Sequence, residues 1–420
     1  MEDIFRKHFD YRNRNSSGPV LGSLFSSIEI KTCDAAYPVT FSDLDIKYDV
    51  GLGVPFAWFW CDAIVEVVEN LYRENKKFNG SRDRIVELLR ECVLKFLRDE
   101  KNIEHLKKVK SAKSEAEIQA ILSHHLFVLL APSAEYLIDG HHSWPADLKK
   151  CPACHEDLNL GNTSIGHHKV WYGFPDIIVN KTTVKVKKDE DESIEDEETQ
   201  DYEWREPDAK RLKVTNDKQN EMGAGGEGSN LSPDVFTTSI EVKKDQGFAN
   251  EKNLIQTFAQ TITNAFYQSK LNPKLNNLCI PSFLVSNVKL RIMMYNCTQD
   301  RLYMSENMAL WNKDDSLNVG TVICIWLVLN FENFQNCVSA EDLEAVGLKK
   351  STFQEKLPGD ILAIYQDELS RYLPIKKVKK EEQPPKTAFD LPMSKYAQNV
   401  VAKVGWNGSS LLYISPLVLA

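Results

Sequence analysis

No stretch of this chain stays apolar long enough to cross a bilayer; the longest clean run, residues 321–329, falls far short of the roughly 20 residues a spanning helix needs. An apolar leader is missing as well. The first residues, Met1, Glu2, Asp3, Ile4, Phe5, Arg6 and Lys7, carry charge where a secretory core would stand, so no membrane partner and an intracellular location are expected. Cysteine is scarce, 9 of 420 residues, and scattered. Cys61, Cys92, Cys279 and Cys324 sit in apolar settings, which suits reduced core thiols better than a disulfide framework. The chain has no internal repeat. Its Gly-rich segment at 50–55 lacks the lysine of a phosphate-binding loop and reads as a turn.

Net basic charge is also missing, since the balance is −9. The deficit is local, however. Residues 187–233 hold 15 of the 60 acidic and 7 of the 51 basic residues, which leaves 45 against 44 elsewhere. A locally basic groove is therefore compatible with the composition, and Lys107, Lys108, Lys110 and Lys113 cluster where phosphate contacts would be useful. The remainder is ordinary for a globular protein, at 42% hydrophobic and 26% charged residues, enough for one large or two modest cores.

Three regions are expected. Residues 1–109 read as mainly helical, with apolar residues at helical spacing over 57–75 (Trp58, Trp60, Ile64, Val65, Val68, Leu71) and over 81–98 behind a Ser81 cap. Residues 110–335 form an α/β core interrupted at 187–233 by an acidic segment with too little apolar content to fold. Residues 336–420 form an extension: a helix over 342–372 broken near Pro358, a charged Pro-rich linker, and a last strand at 409–419. Lys210, Arg211, Leu212, Lys213 and Val214 form a short basic motif suited to an import receptor, and Lys376, Lys377, Lys379 and Lys380 form a second basic cluster. Nuclear residence is the expectation that follows.

The chemistry lies in two strand-like segments. The first is Phe174, Pro175, Asp176, Ile177, Ile178 and Val179; the second, beyond the acidic segment, is Ser239, Ile240, Glu241, Val242 and Lys243. Period-2 alternation sends Glu241 and Lys243 out of one face and Lys244 out of the other. Two carboxylates supply hard oxygen ligands for Mg²⁺ or Mn²⁺, and a neighbouring ammonium can orient water or offset developing charge. That trio suits hydrolysis of a phosphodiester.

Pro175-Asp176 followed by Glu241-x-Lys243 resembles the PD-(D/E)xK nuclease superfamily, once most of 187–233 is treated as an insertion. The element order agrees: a helix bearing Glu115 and Glu117, the Asp strand, the Glu-x-Lys strand, a helix bearing Gln256 and Gln260, then apolar strands at 282–288 and 290–295. The likeness spans roughly residues 110 to 330. It implies a restriction-endonuclease-like mixed central sheet flanked by helices, and a divalent-metal-dependent nuclease acting on DNA or RNA, with DNA preferred. It further implies Asp176, Glu241 and Glu117 as metal ligands, with Glu115 the alternative on the first helix and the Val242 carbonyl a further donor. Lys243 would orient water or neutralise the transition state, and Gln256 would approach the site with Gln260 one turn further on. The competing function is an inactive nuclease-fold protein that serves as an interaction module for nucleic acid or protein.

A second constellation precedes the Asp strand. Cys151 and Cys154 have the spacing of a zinc knuckle, and His167 and His168 follow at a distance that could complete a tetrahedral site, with one of His141, His142 or His155 needed as well. A structural Zn²⁺ is the expected cofactor there.

Overall fold

Runs of β-branched and aromatic residues become the strands of one mixed sheet. The computed structural model describes residues 24–33, 44–48, 54–60, 63, 88–131, 134–141, 144–182 and 235–373. In chain order its strands are β1 (Leu24–Cys33), β2 (Leu44–Tyr48), β3 (Val54–Pro55), β4 (Ala134–Asp139), β5 (Leu160–Gly161), β6 (Ile165–Gly166), β7 (Tyr172–Gly173), β8 (Ile177–Thr182), β9 (Val235–Val242), β10 (Ile280–Val285), β11 (Lys289–Asn296), β12 (Arg301–Ser305), β13 (Met308–Ala309) and β14 (Ser370–Arg371). The main sheet runs β2-β1-β12-β11-β10-β9-β8-β4-β5, with β3 on β1 and β13 on β11. A small separate sheet runs β14-β6-β7. The pairings β9/β10 and β4/β5 are parallel, and the others are antiparallel. The architecture is thus mixed α/β, with a mixed central sheet flanked by helices.

Four helices matter for the site: α1 (Glu100–Lys107), α2 (Glu115–Leu122), α3 (Glu251–Leu271) and α4 (Val319–Leu329). Each starts on a side-chain cap, Asp99, Ser114, Asn250 and Asn318 respectively, which satisfies an otherwise orphaned N–H. The α2 segment continues through a π-helical turn, Ser123–Phe127, into Val128–Leu130. Strand alternation divides the core. Ile177, Val179, Ile240, Val242, Phe283 and Val285 pack with Leu122, Leu126, Phe127 and Trp326 on one face of the sheet. Leu284, Met293 and Tyr295 pack with Phe258, Ile262 and Phe266 of α3 on the other. The apolar run at 321–329 is α4, which is buried almost all round, and among the described residues no helix is long and apolar enough to cross a membrane.

Where α3 covers β9 the interface is polar. Gln260, Asn264 and Gln268, one turn apart, face Glu241 and Thr237. Asn264 Nδ2 donates to the Thr237 carbonyl at 3.1 Å, and Gln268 hydrogen-bonds the Thr237 hydroxyl. Arg371 of β14 reaches the same place, donating to Thr237 Oγ1 at 2.7 Å and to Asn264 Oδ1 at 3.2 Å.

Two expectations about elements need correction. The helix expected over 342–372 is instead a set of short pieces, Ala340–Ala345, Phe353–Lys356 and Gly359–Ala363, followed by a π turn at Ile364–Glu368 and then β14. Left-handed backbone at Gly347 (φ 82°) and Thr352 (φ 60°) interrupts it before Pro358 is reached. Within residues 1–109, helical structure from residue 88 onward is joined by β1, β2 and β3 at one edge of the sheet, so this region contributes strands as well as helices. Most of 57–75, residues 81–87, the insert at 187–233, both basic motifs at 210–214 and 376–380, and the strand expected at 409–419 lie outside the described residues.

Candidate metal site at the ends of two strands

Antiparallel pairing of Ile177 with Ile240 places the next step outward, Asp176, across from Glu241. Alternation then turns Lys243 back to the side of Glu241. The three side chains converge: Lys243 Nζ is 2.5 Å from Glu241 Oε1 and 3.8 Å from Asp176 Oδ2. The Val242 N–H donates to Asp176 Oδ2 at 2.7 Å and fixes that carboxylate against the strand end, although the two residues are 66 apart in sequence. Glu241 is wholly buried, whereas the side chains of Asp176 and Lys243 keep 20% and 14% of their exposure, so the cluster opens to solvent on the Asp176 side.

Neighbouring helices supply two more groups. Gln260 of α3 donates from Nε2 to Glu241 Oε2 at 2.5 Å. Glu115, in the first turn of α2, accepts the Lys244 N–H at 3.1 Å, which holds a third carboxylate beside the pair. The expected helix residues were the neighbours of these. Glu117 is engaged at the helix start: Ser114 Oγ accepts the Glu117 N–H at 3.2 Å, and Glu117 Oε2 reaches back to accept the Lys113 N–H at 2.7 Å, one residue before the cap. Ser-x-x-Glu at 114–117 is readable in the sequence, and it was the signal that Glu117 was already committed. Gln256 is half-buried, and the hydrogen bond to Glu241 comes from Gln260, one turn further along. At Val242 the structure shows the N–H engaged. The Lys244 side chain is exposed, as alternation predicts.

Charge in the cluster is strongly coupled to burial. Desolvation, followed by the nearby Glu241 carboxylate, raises the Asp176 pKa well above the usual range. Glu241 is raised as well, again by burial first, although Lys243 and Gln260 oppose the shift. Burial works against the Lys243 ammonium, but Glu241 and Asp176 more than compensate and raise its pKa. Lys243 therefore stays cationic at neutral pH. Crowded carboxylates with raised pKa values form a donor set that a divalent cation relieves, since its charge substitutes for the missing protons.

Of the basic residues before α2, Lys110 is paired with Asp315 at 2.7 Å and lies over the Trp311 ring, and Lys108 donates to the Ala153 carbonyl at 2.7 Å. Lys107 and Lys113 are exposed.

The cysteine pair is not met by the histidines expected for it. The His167 and His168 rings lie against each other at a tilt, with centroids 4.1 Å apart, and His167 faces Glu368 at 3.7 Å. They lie on the turn between β6 and β7, whose small sheet carries them to β14 rather than to the knuckle. His141 and His155 are exposed, and His142 lies outside the described residues. The histidines that do reach Cys154 are His124 and His125, in the π-helical continuation of α2. Two adjacent histidines inside an apolar helical run, 118–130, were the available sequence signal.

Comparison of the chain with family models, with curated proteins and with solved structures yields no match in any of the three. The chemistry of the site therefore rests on its own geometry.

Proposed function

We propose that this protein is a divalent-metal-dependent nuclease of restriction-endonuclease-like fold that hydrolyses phosphodiester bonds, with DNA the preferred substrate over RNA. One observation carries the reading: Asp176, Glu241 and Lys243, from separate segments, meet at the adjacent ends of β8 and β9 with a third carboxylate, Glu115, alongside. The donor set is all oxygen and anionic, which fits Mg²⁺ or Mn²⁺ rather than a softer metal.

Asp176 and Glu241 would hold the ion, with Glu115 a further carboxylate near enough to act on both electrostatically. The bound cation would supply Lewis-acid polarisation of a phosphoryl oxygen and a more acidic water. Lys243, kept as the ammonium, cannot act as a general base; its part is to stabilise negative charge that builds on the phosphate as water oxygen bonds to phosphorus and the ester oxygen departs. Gln260 fixes the rotamer of Glu241 from behind, and the Val242 N–H does the same for Asp176, so both ligands are oriented before substrate arrives. Exposed Lys107 and Lys113 would lie near the strand that feeds the site and contact its backbone. Nuclear residence belongs to the same proposal, supported by the basic motifs at 210–214 and 376–380.

One observation favours the competing reading, an inactive interaction module: Glu241 is fully buried, with Lys243 and Gln260 already on its two oxygens, as in a structural ion pair. Purified protein incubated with single-stranded, double-stranded and branched DNA and RNA in Mg²⁺, Mn²⁺ or EDTA separates the two. Metal-dependent cutting that disappears in Asp176→Ala and Lys243→Ala is the result expected of the nuclease. Absence of cutting on every substrate, with equal nucleic-acid binding by the variants, assigns the cluster to structure.

A further inference from the structure

We infer that His124, His125, Cys151 and Cys154 form a structural zinc site that clamps the end of the α2 segment to the hairpin leading toward β8. One ligand atom from each of His124, His125 and Cys154 lies within 4.8 Å of the other two. Cys151 Sγ, outside that group of three, is 3.5 Å from His125 Nε2, and we take it as the fourth ligand. Bond lengths of about 2.3 Å to sulfur and 2.0 Å to nitrogen, at the tetrahedral angle, require an S···N edge of about 3.5 Å. That edge is already formed.

The surroundings are built for these ligands. Asn102 Oδ1 lies 2.7 Å from His125 Nδ1 and Asn102 Nδ2 donates to the His125 carbonyl at 3.0 Å, so the amide fixes the ring by two contacts and leaves Nε2 toward the sulfur. Tyr136 Oη stands 3.2 Å from His124 Nδ1 and holds the second ring in the same way. Outer partners of this kind set the tautomer and orientation of metal-binding imidazoles. Around the cysteines the backbone folds as a tight knuckle. The His155 N–H donates to the Cys151 carbonyl at 2.8 Å, the Cys151 N–H donates to Glu156 at 2.8 Å, and His155 adopts φ 66°. The Ala153 and Cys154 N–H groups point at the Cys151 sulfur, where they would stabilise a thiolate. Lys108, after α1, ties down the knuckle through the Ala153 carbonyl at 2.7 Å.

Ligand type and closure select the metal and its role. Two sulfurs and two imidazoles favour zinc over Mg²⁺ or Mn²⁺. Cys151 is fully buried and Cys154 partly so, and four protein ligands leave no position for a substrate, as expected of a structural rather than a catalytic ion. The π-helical turn at Ser123–Phe127 has a function in this arrangement: it changes the angular step between adjacent residues, and both His124 and His125 face the knuckle.

The test is elemental analysis of the full chain purified without chelator, together with cobalt substitution. One zinc per chain is expected, with Co²⁺ giving the intense visible bands of tetrahedral coordination and a thiolate charge-transfer band. Cys151→Ser and His125→Ala should lose the metal while His167→Ala and His168→Ala keep it, and Asp176→Ala should keep it too, which separates this site from the proposed nuclease site. Substoichiometric zinc, an octahedral cobalt spectrum, iron or copper in its place, or a Cys151–Cys154 disulfide in the native chain would overturn the inference. Should the Cys151 or His125 variants prove insoluble, zinc content and the cobalt spectrum of the wild-type chain decide it.

Discussion

The α2 segment connects two corners of the molecule that solve the same problem in opposite ways. At its start, Glu115 joins Asp176 and Glu241, a hard and anionic set; at its far end, His124 and His125 meet Cys151 and Cys154, a soft and neutral set. A rise of about 1.5 Å per residue puts the two roughly 14 Å apart along one continuous helical segment. The anionic corner carries its own substitute cation, Lys243, so it is electrostatically tolerable without metal. The soft corner is neutral in its ligands: burial keeps the Cys151 thiol protonated, raised to about 11, and the His125 imidazole unprotonated, lowered to about 3, while the Lys108 ammonium beside it bonds the Ala153 carbonyl rather than a ligand.

The comparison can be broken most forcefully at Asp176 and Lys243. Removing either to alanine should lower metal-dependent cleavage by about 10³-fold, measured as kcat/KM, with little change in secondary structure by circular dichroism. A smaller catalytic effect separates the helix positions: Glu115→Gln and Gln260→Ala should each cost about tenfold, whereas Glu117→Gln and Gln256→Ala should stay within about twofold. Equal effects of Glu115→Gln and Glu117→Gln would remove Glu115 from the site.

Stability gives a third and subtler contrast. Because the folded pKa of Asp176 is raised, the wild-type chain keeps its full stability below the unfolded carboxyl value and loses part of it as pH rises through the folded value. Asp176→Asn removes the titrating charge while keeping an acceptor for the Val242 N–H. In EDTA the variant should therefore match wild type near pH 4 and exceed it by about 1 kcal/mol at pH 8, read from denaturant melts. Saturating Mg²⁺ should narrow the gap by stabilising wild type alone. A variant less stable than wild type at pH 8 in EDTA would show that Asp176 is structurally required as an anion.

Much of the anionic corner was legible in the sequence because it depends on strand periodicity and on residues placed at strand ends. Alternation put Glu241 and Lys243 on one face, the meeting of Asp176 with them was what the family resemblance implied, and α3 and strands β10 and β11 fall close to where apolar spacing puts them. The choice between Gln256 and Gln260, one turn apart on one face, depends on the position of the helix along its axis, and that between Glu115 and Glu117 on its rotation about the axis against the sheet. An apolar stripe fixes that only to within one residue step of about 100°. The Ser-x-x-Glu pattern at 114–117, which commits Glu117 to the helix start, would have settled the choice between Glu115 and Glu117. The soft corner was half legible. Cys-x-x-Cys is local, whereas its histidines come from an earlier helix, and no spacing rule links positions 124 and 151. The β1 and β2 edge and the polar α3–β9 interface depend on contacts across hundreds of residues, which local pattern does not encode.

Arg371 has a bearing on how the protein is made. It completes the polar lock on Thr237 from 134 residues downstream. At a synthesis rate of roughly 5–20 residues per second, that separation amounts to a delay on the order of 10 s. Once α3 is complete at Leu271, and for the rest of that interval, the strand carrying Glu241 has its helix but not its final guanidinium, and its buried hydroxyl and amide groups wait on residues still to be translated. The window in which a chaperone could act on the nascent chain is thus set by a two-residue strand near the end of the described fold.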